Sequence, residues 1–223
     1  GEPSMMKAVT GHKGGNAFAT HVVGFEVHSS IHYRGVSAVH EGARLIQWAT
    51  EQNELNGAAT PGPLASMFDP AYTTWHVGII SGGTADNITA KDCHFNMGYR
   101  AVPGDDTARL NQMYFDKVNE VKAAMQAVHP EADIVLTPRF AVPPLKPEES
   151  GEAEVLVRAV TGDNAAHVVS YGTEAGQFQD AGYSAVVCGP GDIAQAHQPN
   201  EFIEVAQFEA GHQFMCELLA KLA

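Results

Sequence analysis

Apolar and polar residues alternate most regularly between Cys93 and Arg100. Cys93, Phe95, Met97 and Tyr99 fall on one side, and His94, Asn96, Gly98 and Arg100 on the other. A period of two over that length predicts a strand with one face buried. Residues 16–27, rich in Val, Phe and Thr, read as an earlier strand, and so does Thr74–Ser81, which turns through Gly82-Gly83 into the alternating one. Ile134–Phe140 reads as a fourth. Helical periodicity separates them. After Gly35, Val39, Ala43, Ile46 and Thr50 share a face, with Ala38, Leu45 and Ala49 beside it, until the segment Asn56–Pro63 ends the helix. Asp105, Asp106 and Thr107 can cap a second helix, which His129-Pro130 stops. Its apolar face holds Leu110, Tyr114, Val118, Val121, Met125 and Val128. The order strand, helix, strand, strand, helix, strand is the split βαβ, ferredoxin-like layout. It closes at about residue 142.

The stretch from Val142 to Gly151, with Pro143, Pro144 and Pro147, reads as a boundary linker. Beyond it the pattern predicts a short helix (Glu152–Val160), a polar loop and an apolar strand (Ser184–Cys188). A Gly189-Pro190-Gly191 turn then leads to a final helix with Val205, Phe208, His212, Met215, Leu219 and Leu222 on one face. So few elements do not close a core, so this tail is expected to pack on something outside the chain.

Composition narrows the class. The 223 residues are 44% hydrophobic and 17% charged, as in a soluble globular protein. A formal net charge of −13 argues against nucleic acid or an anionic membrane as partner, since both demand a basic face. No apolar run approaches the roughly 18 residues of a membrane span, and the N-terminus lacks a signal-peptide pattern. Cys93, Cys188 and Cys216 are odd in number and widely spaced, which predicts buried thiols in a reducing cytoplasm. Met5 and Met6 lie inside sequence that already reads as mid-domain, so a fragment or a processed chain is expected.

The richest segment for chemistry runs from Cys188 to Glu201. A buried strand ends in a sharp Gly-Pro-Gly turn, at the end of an α/β sheet where ligands sit. His197 follows in a loop held by Pro199; its imidazole is a candidate metal ligand that Asn200 or Glu201 can orient. Glu2 precedes a Pro, which keeps it out of helix and aims its carboxylate from a strand end. In Tyr171-Gly172-Thr173-Glu174-Ala175, small residues let backbone and the Thr173 hydroxyl approach a ligand.

Taken in order, Gly-Glu2-Pro-Ser, Gly-His-Lys13-Gly14, Val-His28-Ser-Ser, Asn87, Tyr99-Arg100-Ala-Val-Pro-Gly, Tyr-Gly-Thr173-Glu-Ala and Ala-His197-Gln-Pro-Asn-Glu span the chain. This set resembles the co-catalytic zinc amidohydrolases, the family of acetylornithine deacetylase, succinyl-diaminopimelate desuccinylase, aminoacylase and carboxypeptidase G. The Thr173 and His197 motifs look most like the acetylornithine deacetylases. The resemblance implies a ferredoxin-like βαββαβ dimerisation domain (13–142) inserted in a zinc-exopeptidase-like α/β catalytic domain. Residues 1–12 would end that domain's first segment and 143–223 form its C-terminal segment. It implies a cytoplasmic, homodimeric deacylase that converts N-acetylornithine to ornithine and acetate in arginine biosynthesis, with desuccinylation or broader aminoacylase or carboxypeptidase activity as alternatives.

The same resemblance implies roles by position. Glu2 and His197 would bind different zinc ions of a two-metal site, in which cobalt or manganese is also possible. His28 would stabilise the oxyanion in the partner subunit's site. Asn87 and Arg100 would contact substrate, Arg100 through a carboxylate, and Lys13, Gly14 and Thr173 would line the pocket. The family's His-x-Asp segment, bridging Asp and adjacent Glu pair do not lie in this sequence. Two ligands are too few, since catalytic zinc uses about three protein donors per ion. The chain alone is therefore expected to be inactive. A different class of reading makes it a dimerisation module.

Overall fold

The computed structural model describes residues 1–222. The chain opens with β1 (Val9–His12), steps through Lys13 and enters β2 (Gly14–Val23). Then come α1 (Ala38–Ala58), β3 (Thr74–Gly82), β4 (Asp92–Ala101), α2 (Thr107–Val128) and β5 (Asp133–Val142). Among the described residues, β2 to β5 form one sheet in the order β3-β4-β2-β5, and every neighbouring pair is antiparallel. That is the ferredoxin-like arrangement the sequence predicts. Both helices cover one face of the sheet. The other face is open.

The alternation in β4 does what its period requires. Cys93, Phe95, Met97 and Tyr99 are buried with Phe18 and Val22 of β2 and Trp75 of β3. The buried stripe of α1 is Ala38, Gly42, Leu45, Trp48 and Ala49 rather than the Val39, Ala43, Ile46 and Thr50 face. Gly42 explains the rotation: a side chain there would stand 2.9 Å from the Cys93 sulfur, so the helix brings this bare spot onto the sheet. Trp48 then meets Trp75 edge-on, with ring centroids 4.9 Å apart. Helix α2 starts on Asp106, whose carboxylate accepts the Ala108 and Arg109 N–H groups. Its expected face is buried except at the last turn. Val128 borders a cleft with Tyr33 and Ile88 instead of the sheet, and it is exposed. In the core, Tyr114 and Thr20 hydroxyls satisfy each other at 2.6 Å, which answers the cost of burying both.

The remainder is a thinner layer. β1 pairs in parallel with β6 (His167–Val169), flanked by α3 (Glu152–Thr161) and α4 (Ala175–Asp180). The expected strand Ser184–Cys188 shrinks to one rung, in which Val187 exchanges hydrogen bonds with Val9. β1 has only four residues, and on its edge away from β6 the far end, His12, is bonded to Leu145 instead. The Pro-rich stretch is not a free linker. Leu145 is buried and exchanges bonds with His12, while Glu148 accepts from Ser184, Gln179 and Ala185. An apolar anchor and a carboxylate facing three donors hold the strap down.

Helix α5 (Val205–Leu222) buries none of its residues, and Val205, Phe208, Met215, Leu219 and Leu222 all stand exposed. The cysteines depart from the expectation of buried thiols: Cys93 is buried, Cys188 is half-buried and Cys216 is exposed on that uncovered helix. Among the described residues no helix is long and apolar enough to cross a membrane.

Asp163 clamps the thin layer. Its carboxylate accepts the N–H of fully buried Ala8 at 2.9 Å, that of Ala165 at 3.2 Å and the His167 ring nitrogen at 3.2 Å. Burial works against its ionisation, but these donors outweigh burial and hold its carboxyl below the usual range. Asp163→Ala strands the Ala8 N–H and costs about 2 kcal/mol, read as a lower urea midpoint. Because the folded-state value is depressed, the contribution is full above the ordinary carboxylate range and fades as pH falls through the lowered value. An unchanged urea midpoint at neutral pH would refute the clamp.

Candidate active site

Glu2 is placed by a backbone zipper. The Ser4 N–H donates to Gly189 O at 3.1 Å, Met6 N–H to the same oxygen at 2.9 Å and Met5 N–H to Gly191 O at 2.8 Å. Ser4 Oγ in turn accepts the Gly189 N–H at 3.1 Å. The two chains run so close that a side chain on Gly189 would fall 2.5 Å from the Glu2 carbonyl oxygen. The turn therefore needs glycine. The Tyr171 hydroxyl donates to Pro3 O at 3.2 Å and adds a third segment. Burial pushes the Tyr171 phenol up, and the charge of Glu2 adds to that.

Glu2 borders a cavity of about 410 Å³ lined also by Thr173, Glu174 and Ser184 among others. Glu2 is half-buried, and Thr173 is buried with its hydroxyl accepting the Ala175 N–H at 3.1 Å. His197 follows on the loop after the Gly-Pro-Gly turn, exposed and with φ of 58°. A left-handed non-glycine residue is strained, and Glu201 supports it by accepting the His197 N–H at 2.9 Å. Glu201 thus serves the backbone of His197 and not, as the sequence suggested, its ring.

Arg100 reaches the same end of the molecule from β4. It points to the open face, its guanidinium 5.8 Å from the Phe140 ring centroid. Gly15 leaves it room, since a side chain there would meet a guanidinium nitrogen at 2.8 Å, and one on Gly172 would come within 3.7 Å. So Arg100 lies beside the loop that carries Thr173, at the mouth of an open groove of about 630 Å³ lined also by His76, Asn96 and Phe140.

Lys13 and Gly14 do not line this cavity. The Lys13 side chain is buried, and its ammonium donates to the Pro70 and Tyr72 carbonyls at 2.6 and 3.0 Å. Burial pushes its pKa down. Gly14 sits under the Pro144 ring, 2.8 Å from where its side chain would be. Both residues hold the crossing between the two layers.

His28 and Asn87 lie together elsewhere. His28 bridges Ile88, and the Ser29 N–H donates to Asn87 O at 2.8 Å. The Ser30 N–H donates to His28 Nδ1 at 3.2 Å, and the Ser30 hydroxyl lies 2.8 Å from the same nitrogen. An Nδ1 that accepts a hydrogen bond leaves the proton of the neutral ring on Nε2. His28 thus presents an N–H donor to solvent. This pair sits past the Val23 end of β2, and Arg100 sits beside its Gly14 end. Nine residue steps along the ten-residue strand separate the two ends by roughly 30 Å.

Sequence reasoning assigned no role to several residues that the geometry brings in. Ser30 and Phe140 set the posture of His28 and Arg100, and Glu174 adds a second carboxylate to the cavity. His12 is fully buried; its Nδ1 donates to Lys13 O at 3.0 Å and its Nε2 has no partner. Burial pushes its pKa down, against the opposing charge of Glu174. Glu174, Ser30 and His12 carried a signal in the sequence, as members of the motifs around Thr173, His28 and Lys13; Phe140 did not.

A family model of the peptidase dimerisation domain matches residues 10–126, which takes in β2, β3, β4, both covering helices almost entirely and the His28 and Asn87 loops. The chain belongs to this family. It is 33% identical over 206 residues to the acetylornithine deacetylase of Myxococcus xanthus, covering 92% of this chain and 52% of that protein. Against the acetylornithine deacetylase of Proteus mirabilis it is 30% identical over 219 residues, covering 98% and 54%. The chain thus spans about half the length of the curated relatives it matches. A tripeptidase from Staphylococcus aureus shares the fold with a TM-score of 0.70 at 19% identity, covering 98% of this chain and 54% of that one. A dipeptidase from Saccharomyces cerevisiae does so at 0.64 and 14%, covering 97% and 56%. The relatives and structural neighbours are hydrolases, deacetylases and peptidases alike, and the ferredoxin-like unit is the part that the dimerisation family model covers.

Proposed function

We propose that this chain forms the C-terminal part of a metal-dependent deacylase that removes the acetyl group from N-acetylornithine. One observation carries the reading: Glu2 and Thr173 line one cavity, Arg100 lies beside the loop that carries Thr173, and the turn leading to His197 is zipped to the residues that follow Glu2. Residues 1–12 and 143–223 are proposed as the catalytic layer and 13–142 as the dimerisation domain. In that site Arg100 binds the substrate carboxylate through two N–H groups, stiffened by Phe140. Thr173 lines the pocket, and Asn87 and His28 reach substrate from the partner of a homodimer.

The roughly 30 Å between the His28–Asn87 pair and Arg100 supports action across subunits, because one site cannot take both from a single chain. The edge strand β3 offers a place for pairing, with Ile79 and Ile80 exposed. Glu2 and His197 are donor types that zinc, cobalt or manganese accept. Among the described residues, no group of three close metal-binding side chains includes Glu2 or His197, and on this reading the remaining donors come from outside the chain. When bound, such an ion polarises an amide carbonyl and acidifies water. The chain's own part is to orient the substrate and to offer the His28 N–H to the oxygen that gains charge.

A substrate panel tests this. The full-length enzyme is expected to favour N-acetylornithine over N-succinyl-diaminopimelate and simple N-acetyl amino acids by at least about tenfold in kcat/KM. A chelator is expected to abolish turnover, and the 223-residue chain alone to show none. Preference for the succinyl substrate would move the assignment to the desuccinylases. Turnover by the isolated chain would refute the shared-site reading and favour neither alternative.

A further inference from the structure

The open face of the sheet carries a second group of metal-binding side chains. His21 of β2 and His94 of β4 are paired in register, so both project from the helix-free face. Their rings stack with centroids 4.0 Å apart and planes 20° from parallel. Asp92 is two residues before His94 on β4 and therefore shares its face, and its Oδ1 lies 2.7 Å from His21 Nε2. One donor atom from each of the three lies within 4.8 Å of the others, the only such cluster among the described residues.

We propose that His21, Asp92 and His94 bind a divalent transition-metal ion. Two imidazoles and a carboxylate are the donor set that zinc, copper and nickel select over magnesium or calcium. Donors around a tetrahedral ion stand roughly 3.4 Å apart, given bonds of about 2.1 Å. The present donors, 2.7 Å apart for His21 and Asp92 and all within 4.8 Å, bracket that value. Structural needs account for the Asp92–His21 hydrogen bond, but not for His94. Among the described residues no hydrogen bond uses its ring, yet it is stacked on a neighbour of like potential charge.

The frame is stiff where it matters. β2 is bonded on both sides, to β4 and β5, and β4 to β3 and β2, so the ligand-bearing backbone is a fixed platform. The register neighbours in this row are Ser81 and Val135, so no lysine or arginine competes there for Asp92. Asp133, one row on, is already paired with Lys122. The overall charge of −13 favours cations. On binding, the ion takes the place of the hydrogen between His21 Nε2 and Asp92. In a neutral ring that hydrogen shifts to Nδ1, whereas a protonated ring keeps its Nδ1 proton and releases the one from Nε2 to solvent.

Chelator-treated chain titrated with Zn²⁺ by calorimetry tests the site, with Co²⁺ as a paramagnetic probe of histidine ring resonances. The expected result is one equivalent that His94→Ala and His21→Ala each remove or weaken by at least about tenfold. His40→Ala, at an exposed position on α1, should leave it intact. Co²⁺ should broaden the His21 and His94 ring signals together in the parent protein. Binding unchanged in both substituted chains, or no broadening of that pair, would overturn the proposal, whatever becomes of the deacylase reading.

Discussion

Replacing His28 by Ala in the full-length enzyme lowers kcat about 100- to 1000-fold and leaves KM within about threefold. The size follows from what the residue presents. Its Nδ1 is held by Ser30, so the neutral ring offers an Nε2–H to an oxygen that gains charge only as the amide is attacked. A donor that matters only at that moment is lost from kcat rather than from binding. The location of the donor adds a sharper test. His28 and Arg100 lie at opposite ends of β2, and under the proposed function the donor serves a partner's site. Mixing His28→Ala subunits with Glu2→Ala subunits should therefore restore activity, toward about a quarter of the parent value under random pairing. Each mixed dimer then holds one site with both Glu2 and His28 intact. Mixed dimers that form but stay inactive would end the proposal of action in trans.

Substituting Gly24 by Ala is the most damaging small change expected in the fold. A methyl group there would stand 2.2 Å from Val36 O, 2.7 Å from Ala90 O and 2.9 Å from Ala38 N. All three are backbone atoms, from two other segments of the chain, so none can swing aside. The Gly24 N–H also donates to Lys91 O at 2.6 Å, which ties the exit of β2 to the entry of β4. Relieving the clash means parting these segments, at a cost of about 3 kcal/mol or more. For a chain of this size that is a Tm drop of about 6–12 °C. Gly62→Ala, where nothing lies within 4 Å, should stay within about 0.5 kcal/mol. Equal melting temperatures for the two variants would refute the packing argument. The effect extends to function, because the segment from Gly24 to His28 is what carries the imidazole out to its exposed position.

Some of this molecule was legible in residue pattern alone. The alternation from Cys93 to Tyr99 and the stripe from Leu110 to Met125 specify their elements because one face of each must leave water, and that need has a period. The ferredoxin-like order follows from the succession of those periods. On α1 the buried face centres on Ala38, Leu45 and Ala49, with Val39 and Ile46 at its margin, because helical periodicity marks every apolar stripe but not the bare Gly42 that lets Cys93 approach. The strand at Ser184–Cys188 was overcalled because apolar content does not show whether a neighbour has spare pairing capacity. The strap after Val142 shows its prolines locally, whereas the His12 backbone and the Ser184 hydroxyl that hold it lie far along the chain.

The sequence by itself determined the elements, the ferredoxin-like order and the residue types able to bind metal, carboxylate and oxyanion. Those depend on local periodicity and side-chain chemistry, which each short stretch carries within it. Only the tertiary structure decided which of them meet. It drew Glu2 and Thr173 to one cavity and laid Arg100 beside it, committed Lys13 to the Pro70 and Tyr72 carbonyls, and carried His28 to the opposite end of the sheet. It also stacked His21 on His94, a pairing that depends on strand register. Register and layer packing join residues tens of positions apart, and that is information no local pattern holds.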